Sequence, residues 1–143
     1  MAQGDLVVFD ETKLALADGT HDLDTHIIKC AILDNTVAPL VGDITPALTD
    51  YTQVGTAGTY VAGGTVLTIS LTEAAGIVTF DSLTNPTWAQ DAANDVDAYW
   101  GLIYNDTDVG KGAIAFIDLG GPVNMASGPL TITFNASGIF TLA

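Results

Sequence analysis

The chain has 143 residues, with 3 Lys+Arg against 17 Asp+Glu, a formal net charge of −14, and no arginine. At about 150 residues per domain this is one domain, 1–143, without the basic face that nucleic acid or an anionic membrane surface requires. A hydrophobic share of 48% against 14% charged excludes a disordered chain, and a lone cysteine, Cys30, excludes an intrachain disulfide and a Cys-rich zinc site.

The start, MAQGDLVVFDE, has no basic n-region and its apolar run stops at Phe9, so no signal peptide is expected. No stretch approaches the roughly 18 apolar residues of a membrane span. Leu6, Val7, Val8 and Phe9 read as a terminal strand. Residues 1–9 are also short, apolar and uncapped, which suits an N-terminal arm that pairs with a neighbour's sheet edge. Asp10 to Ala17 reads as a helix, with Asp10 as N-cap, Glu11 in the first turn, Gly19 past the end, and Leu14 and Phe9 facing inward.

His21-Asp22-Leu23-Asp24-Thr25-His26 follows. In extended chain the odd spacing turns the two imidazoles to opposite sides, so a turn is expected there rather than a metal site. Ile27 to Leu33 is apolar on both faces, as are Ala98 to Tyr104 and Ala113 to Leu119. Such strands lie in the middle of a sandwich or have their outer face covered by a partner. Asp34 to Asp50, with Pro39, Gly42 and Pro46, reads as a long loop.

Val66 to Thr72 alternates, with Leu67, Ile69 and Leu71 on one face, and Glu73 to Gly76 joins it to a strand over Gly76 to Ser82. Leu83 to Asp97 and Asn105 to Gly112 are Asn/Asp/Gly loops, with Trp88 open in the first. Leu130 to Asn135 alternates again, and Ile139 to Leu142 closes the chain. The sum is an all-β fold: a single-domain antiparallel β-sandwich or barrel with at most one or two short helices. Phe80, Leu102, Phe116 and Phe134 are its expected core.

Catalytic chemistry is hard to assemble from these residues. The only histidines are His21 and His26, and there is no G-x-S-x-G elbow and no phosphate-binding glycine motif. Asp91, Asn94, Asp95 and Asp97, and then Asn105, Asp106 and Asp108, supply oxygens for calcium, but neither run has the D-x-[DN]-x-[DN]-G spacing. No catalytic residue, metal or cofactor is therefore expected.

Several stretches, in order, resemble the capsid decoration (cement) and related virion structural proteins of tailed bacteriophages. They are MAQGDLVVFDE; HDLDTHIIKCAILDNTVAP; Tyr60-Val61-Ala62-Gly63-Gly64-Thr65-Val66-Leu67-Thr68; Val78-Thr79-Phe80-Asp81 with Pro86-Thr87-Trp88; Tyr99 to Thr107; Ile114 to Gly121; and Leu130 to Phe140. The resemblance spans nearly the whole chain, and its motifs are strands and turns. It implies a β domain on the outer surface of a virion capsid, bound to the major capsid protein, and a homo-oligomer, with a trimer favoured. A net charge of −14 suits such an exterior by repelling DNA and anionic cell surfaces. The competing reading is a phage tail- or fibre-associated adhesion or carbohydrate-binding module built on Trp88 and the acidic loops. The expected interface residues are Leu6, Val7, Val8, Phe9 and Trp88.

Overall fold

A computed structural model describes residues 4–143. Its elements in order are β1 (Leu6–Val8), α1 (Asp10–Ala17), β2 (Ile28–Leu33), a 3-10 turn (Leu48–Asp50), β3 (Thr65–Val66), β4 (Ile69–Ala74), β5 (Ile77–Ser82), β6 (Thr87–Trp88), β7 (Ala98–Asn105), β8 (Ala113–Val123), β9 (Leu130–Thr131) and β10 (Phe140–Leu142). The strands form three antiparallel sheets, ordered β1-β8-β7-β2-β3, β10-β5-β4 and β6-β9. No barrel closes, so the fold is an all-β, sandwich-like single domain with one α-helix among the described residues.

The central strands β2, β7 and the first half of β8 are buried on both faces of the five-stranded sheet, as their doubly apolar sequences require. On β2, Ile28, Cys30 and Ile32 enter one apolar cluster, while Ala31 and Leu33 enter another. The first cluster fills the space toward the smaller sheets with Leu67, Phe80, Trp88, Leu130, Ile132 and Ile139. The second is closed by the chain itself, through Phe9, Tyr51 and the 3-10 turn residue Leu48. The 51–64 segment is tied to the sheet by backbone and side chain. Val54 N–H donates to Ile32 O at 3.2 Å, and Ile32 N–H donates to the Tyr60 hydroxyl at 3.0 Å. The outer face of these strands is thus covered internally, and they give no reason to invoke a partner subunit.

A bulge in β8 sets the position of α1. Ile103 pairs with Ala115 and Tyr104 with Ala113, which leaves Ile114 as the extra residue. Its side chain joins the first cluster beside Ala115, and its carbonyl accepts from Phe9 N–H at 3.1 Å and from Thr12 Oγ1 at 2.7 Å.

Several sequence expectations change. The N-cap of α1 is Phe9 rather than Asp10, which falls inside the first turn; its charge there still suits the helix dipole. Leu14 is 60% exposed, because the bulge bonds turn Thr12 inward instead. The Val66–Thr72 strand is split. Thr65–Val66 pairs with β2, and from Ile69 the chain pairs with β5 in another sheet. Leu71 consequently lies on an open part of the three-stranded sheet and is exposed. The β4–β5 connection is a two-residue turn, Ala75-Gly76, with φ of 53° and 82°. That is the left-handed pair of a type I′ hairpin. Leu130 to Asn135 keeps its in–out alternation, but only Leu130–Thr131 is laddered, and Phe134 is half-buried.

Candidate interaction surface and polar loop clusters

The segment of the two histidines is a turn, not extended chain. His26 N–H donates to Asp22 O at 3.0 Å, and the Asp22 carboxylate accepts from Asp24 N–H, Thr25 N–H and Thr25 Oγ1. The turn defeats the odd-spacing expectation and brings both imidazoles to one side chain. Asn105 Nδ2 lies 3.2 Å from His21 Nδ1 and 2.9 Å from His26 Nδ1. Asn105 Oδ1 accepts from Thr107 N–H and Asp108 N–H, which fixes the direction of its amide. Asn105 Nδ2 also donates to Thr20 O at 3.2 Å, so its two N–H groups face three neighbouring atoms. Burial holds His21 below its ordinary value, against the opposing pull of Ala113 O and Asp108. Ser82 Oγ donates to Thr84 O and Ser127 Oγ to Asn124 Oδ1, so neither hydroxyl is aimed at an imidazole.

The acidic loops likewise spend their groups on the fold. Asp91 is buried, and its Oδ2 accepts from Thr59 N–H at 2.9 Å and Tyr60 N–H at 3.0 Å. These bonds, that from Tyr60 first, hold its carboxyl below the usual range. Asn94 Nδ2 donates to Gly55 O, and Asp97 Oδ1 accepts from Asn124 Nδ2. Asp106 bridges Lys29 and Lys111, both at 2.9 Å, and hydrogen bonds from the two ammonium groups hold its carboxyl below its ordinary value. Among the described residues, no three His, Cys, Asp or Glu side chains are arranged to hold a metal ion. Burial pushes the Cys30 thiol up to about 12, so it packs as an inert apolar group.

The expected interface residues sit elsewhere than anticipated. Leu6, Val7 and Val8 pair with Ile117, Phe116 and Ala115 of the chain's own β8. Phe9 is fully buried, with its ring 5.0 Å from Phe116 and 6.4 Å from Tyr51. So residues 4–9 of the expected arm are an edge strand and a core anchor; 1–3 lie outside the described residues. The apolar character that suggested an arm belongs to a strand whose side chains enter both clusters. Trp88 is also buried, opposite Leu130 in the β6–β9 pair, and offers no open platform. Trp100 is half-buried edge-on to Phe116, and its indole donates to Asn35 Oδ1 at 3.2 Å.

A run of four water-facing apolar side chains lies in the loop between β2 and the 3-10 turn. Val37, Leu40, Val41 and Ile44 are all exposed, Ile44 at 83%. Tyr51, Pro46 and Asp50 help to line a hollow of about 220 Å³ beside Val37, Asp43 and Ile44. Pro46 also borders a second hollow of about 290 Å³ that contains Leu14 and His21. Asp34 to Asp50 contains no other signal of this kind in sequence: its apolar residues lack a period, and only the fold shows which of them are left outside.

No protein-family model, curated protein or solved structure matches this chain.

Proposed function

We propose that this domain is a structural binding module that decorates the outer surface of a phage capsid and reinforces it by docking on the major capsid protein. The observation that carries this reading is the exposed apolar loop Val37–Ile44 on a domain of net charge −14 whose imidazoles and buried carboxylates are committed to holding loops. An apolar surface of this kind marks a protein-contact site more often than a catalytic one. The turn and strand motifs that resemble virion decoration proteins support the location, and they alone support a trimer. In this reading the module has no catalytic role. The adhesion alternative leaned on Trp88, which is buried, and on loop carboxylates that already accept backbone or side-chain bonds.

The test is to mix the purified domain with undecorated capsids and measure co-sedimentation. Saturable binding supports the reading. A domain that never sediments with capsids defeats it.

A further inference from the structure

The loop between β2 and the 3-10 turn is built to hold its apolar residues outward. Asp43 Oδ2 accepts from Leu40 N–H at 3.0 Å and from the Tyr51 hydroxyl at 2.8 Å, while Asp43 N–H donates to Leu40 O at 3.0 Å. Burial, with Asp43 alongside, pushes the Tyr51 phenol above its ordinary value, so it stays a donor. One end of the turn is anchored by Asp10 N–H to Val41 O at 3.0 Å, the other by Ala113 N–H to Pro46 O at 2.7 Å. Between these anchors Thr45 has φ +48°. A β-branched residue in the left-handed region is strained, and strain of this kind persists only where the surroundings over-determine it. Here it lies next to the most exposed residue of the loop, Ile44.

The charges within the loop itself have one sign. Asp34, Asp43 and Asp50 lie in the same segment, which contains no Lys, Arg or His, and Asp10 and Glu11 open the adjoining helix. Of the three lysines, Lys29 and Lys111 are paired with Asp106, and Lys13 stands 3.9 Å from Asp10. Two copies of this surface brought face to face would set acid against acid around an apolar centre. Like-charge juxtaposition of that kind suppresses pairing.

We infer that Val37, Leu40, Val41 and Ile44 form the docking surface of this domain, and that its occupant is a different protein whose contact face is apolar at the centre and Lys/Arg-rich at the rim. This deepens the capsid-decoration reading and rests on it for the identity of the partner, but not for its chemistry. Any contact between copies of this chain uses another surface. A preformed apolar centre spares the entropy of ordering a loop on binding. The acidic rim steers a basic partner and speeds its association at low salt.

The experiment has two arms on the full chain. In the first, wild type, the double variant Leu40→Asp/Ile44→Asp and the control Leu83→Asp are co-sedimented with undecorated capsids. All three side chains are mostly in water, so the fold is retained, and unfolding midpoints confirm it for each sample. The double variant is expected to bind about tenfold or more weakly, with the control unchanged. Equal binding by the double variant overturns the surface and leaves the decoration reading standing. In the second arm, ¹⁵N-labelled domain is titrated with an amphipathic Leu/Lys helical peptide and with its Leu/Glu counterpart. Shifts concentrated over 37–46, from the basic peptide only, support the inference even where wild type ignores capsids and the decoration reading fails. Shifts elsewhere, equal response to the acidic peptide, or self-association that the double variant abolishes each overturn it.

Discussion

Thr12 Oγ1 donates to the carbonyl of Ile114 at 2.7 Å, and this bond fixes helix α1 to the bulge of β8. The carbonyl also accepts from Phe9 N–H, so removing the hydroxyl leaves it one partner. Thr12→Val is therefore expected to cost about 1 kcal/mol, the net value of an ordinary buried hydrogen bond, rather than the larger cost of an orphaned group. Thr12→Ser should cost less. Urea unfolding of the two variants checks the order.

Packing separates two phenylalanines that look alike in sequence. Phe116 is fully buried between Phe9 and Trp100, whereas Phe134 is half-buried at the margin of the first cluster. Phe116→Ala is expected to cost about 3–5 kcal/mol. Phe134→Ala should cost about 1–1.5 kcal/mol, in proportion to the apolar area it hides. Equal losses in denaturant titrations would contradict the burial of Phe116.

These differences show what the sequence makes legible. Ile28 to Leu33 is apolar at both parities, and that pattern has one meaning for a strand: two covered faces. The Ala75-Gly76 turn is readable because glycine tolerates positive φ. By contrast, nothing local to Leu14 says that a bulge at Ile114, 102 residues beyond Thr12, will turn Thr12 inward. The convergence of His21 and His26 on Asn105 is equally non-local, with separations of 84 and 79 residues. The switch of sheets after Val66 needs both sheets to exist before it has a meaning. The loop over 37–44 hides its role for another reason: burial of its apolar residues is the default expectation, and only the completed fold shows that they are outside.

Two glycines offer a sharper test of close approach. A Cβ on Gly64, where φ is +72°, would lie 1.9 Å from Cys30 O, against backbone that cannot move without disturbing β2. Gly76, with φ +82° in the hairpin turn, has nothing within 4 Å. Gly64→Ala is expected to cost well over about 2 kcal/mol, through strain and displacement together. Gly76→Ala should cost about 1 kcal/mol, from the left-handed backbone alone. Thermal unfolding of the pair distinguishes them.

Acid should destabilise the domain in two stages. Unfolded, His21 titrates near 6.5; folded, burial holds it lower. Between those values the unfolded chain binds the additional proton, so stability declines as pH drops below about 6.5 and stops declining below the folded value. The approach of Asp108 and Asp18 works against this shift and His26 works with it. Asp106 and Asp91 lie below 3.8 in the folded state, so their contribution is present above that pH and is lost as pH falls through their folded values. Melting temperature measured from pH 7.5 to 3 should show both declines. His21→Gln should remove the first and keep the second.

The most direct consequence concerns the N-terminal strand. As a free arm, residues 4–9 would be dispensable for folding and needed only for binding. Paired along Ile117, Phe116 and Ala115, with Phe9 buried against Phe116 and Tyr51, they are part of the domain. Their loss would uncover the outer edge of β8 and open the second cluster, into which Phe9 is fully buried alongside Tyr51. Phe9→Ala alone should cost about 3–5 kcal/mol. Deleting Met1 to Phe9 should leave a chain that lacks a cooperative unfolding transition. Val7→Thr, at a half-buried position on the edge strand, should cost about 1 kcal/mol, the span of strand propensities. Circular dichroism and urea titration of the three variants decide between the alternatives. A deletion that unfolds with the wild-type midpoint would restore the arm. A deletion that fails to fold would mean that weak capsid binding by a truncated chain reports the loss of the domain rather than the loss of a contact.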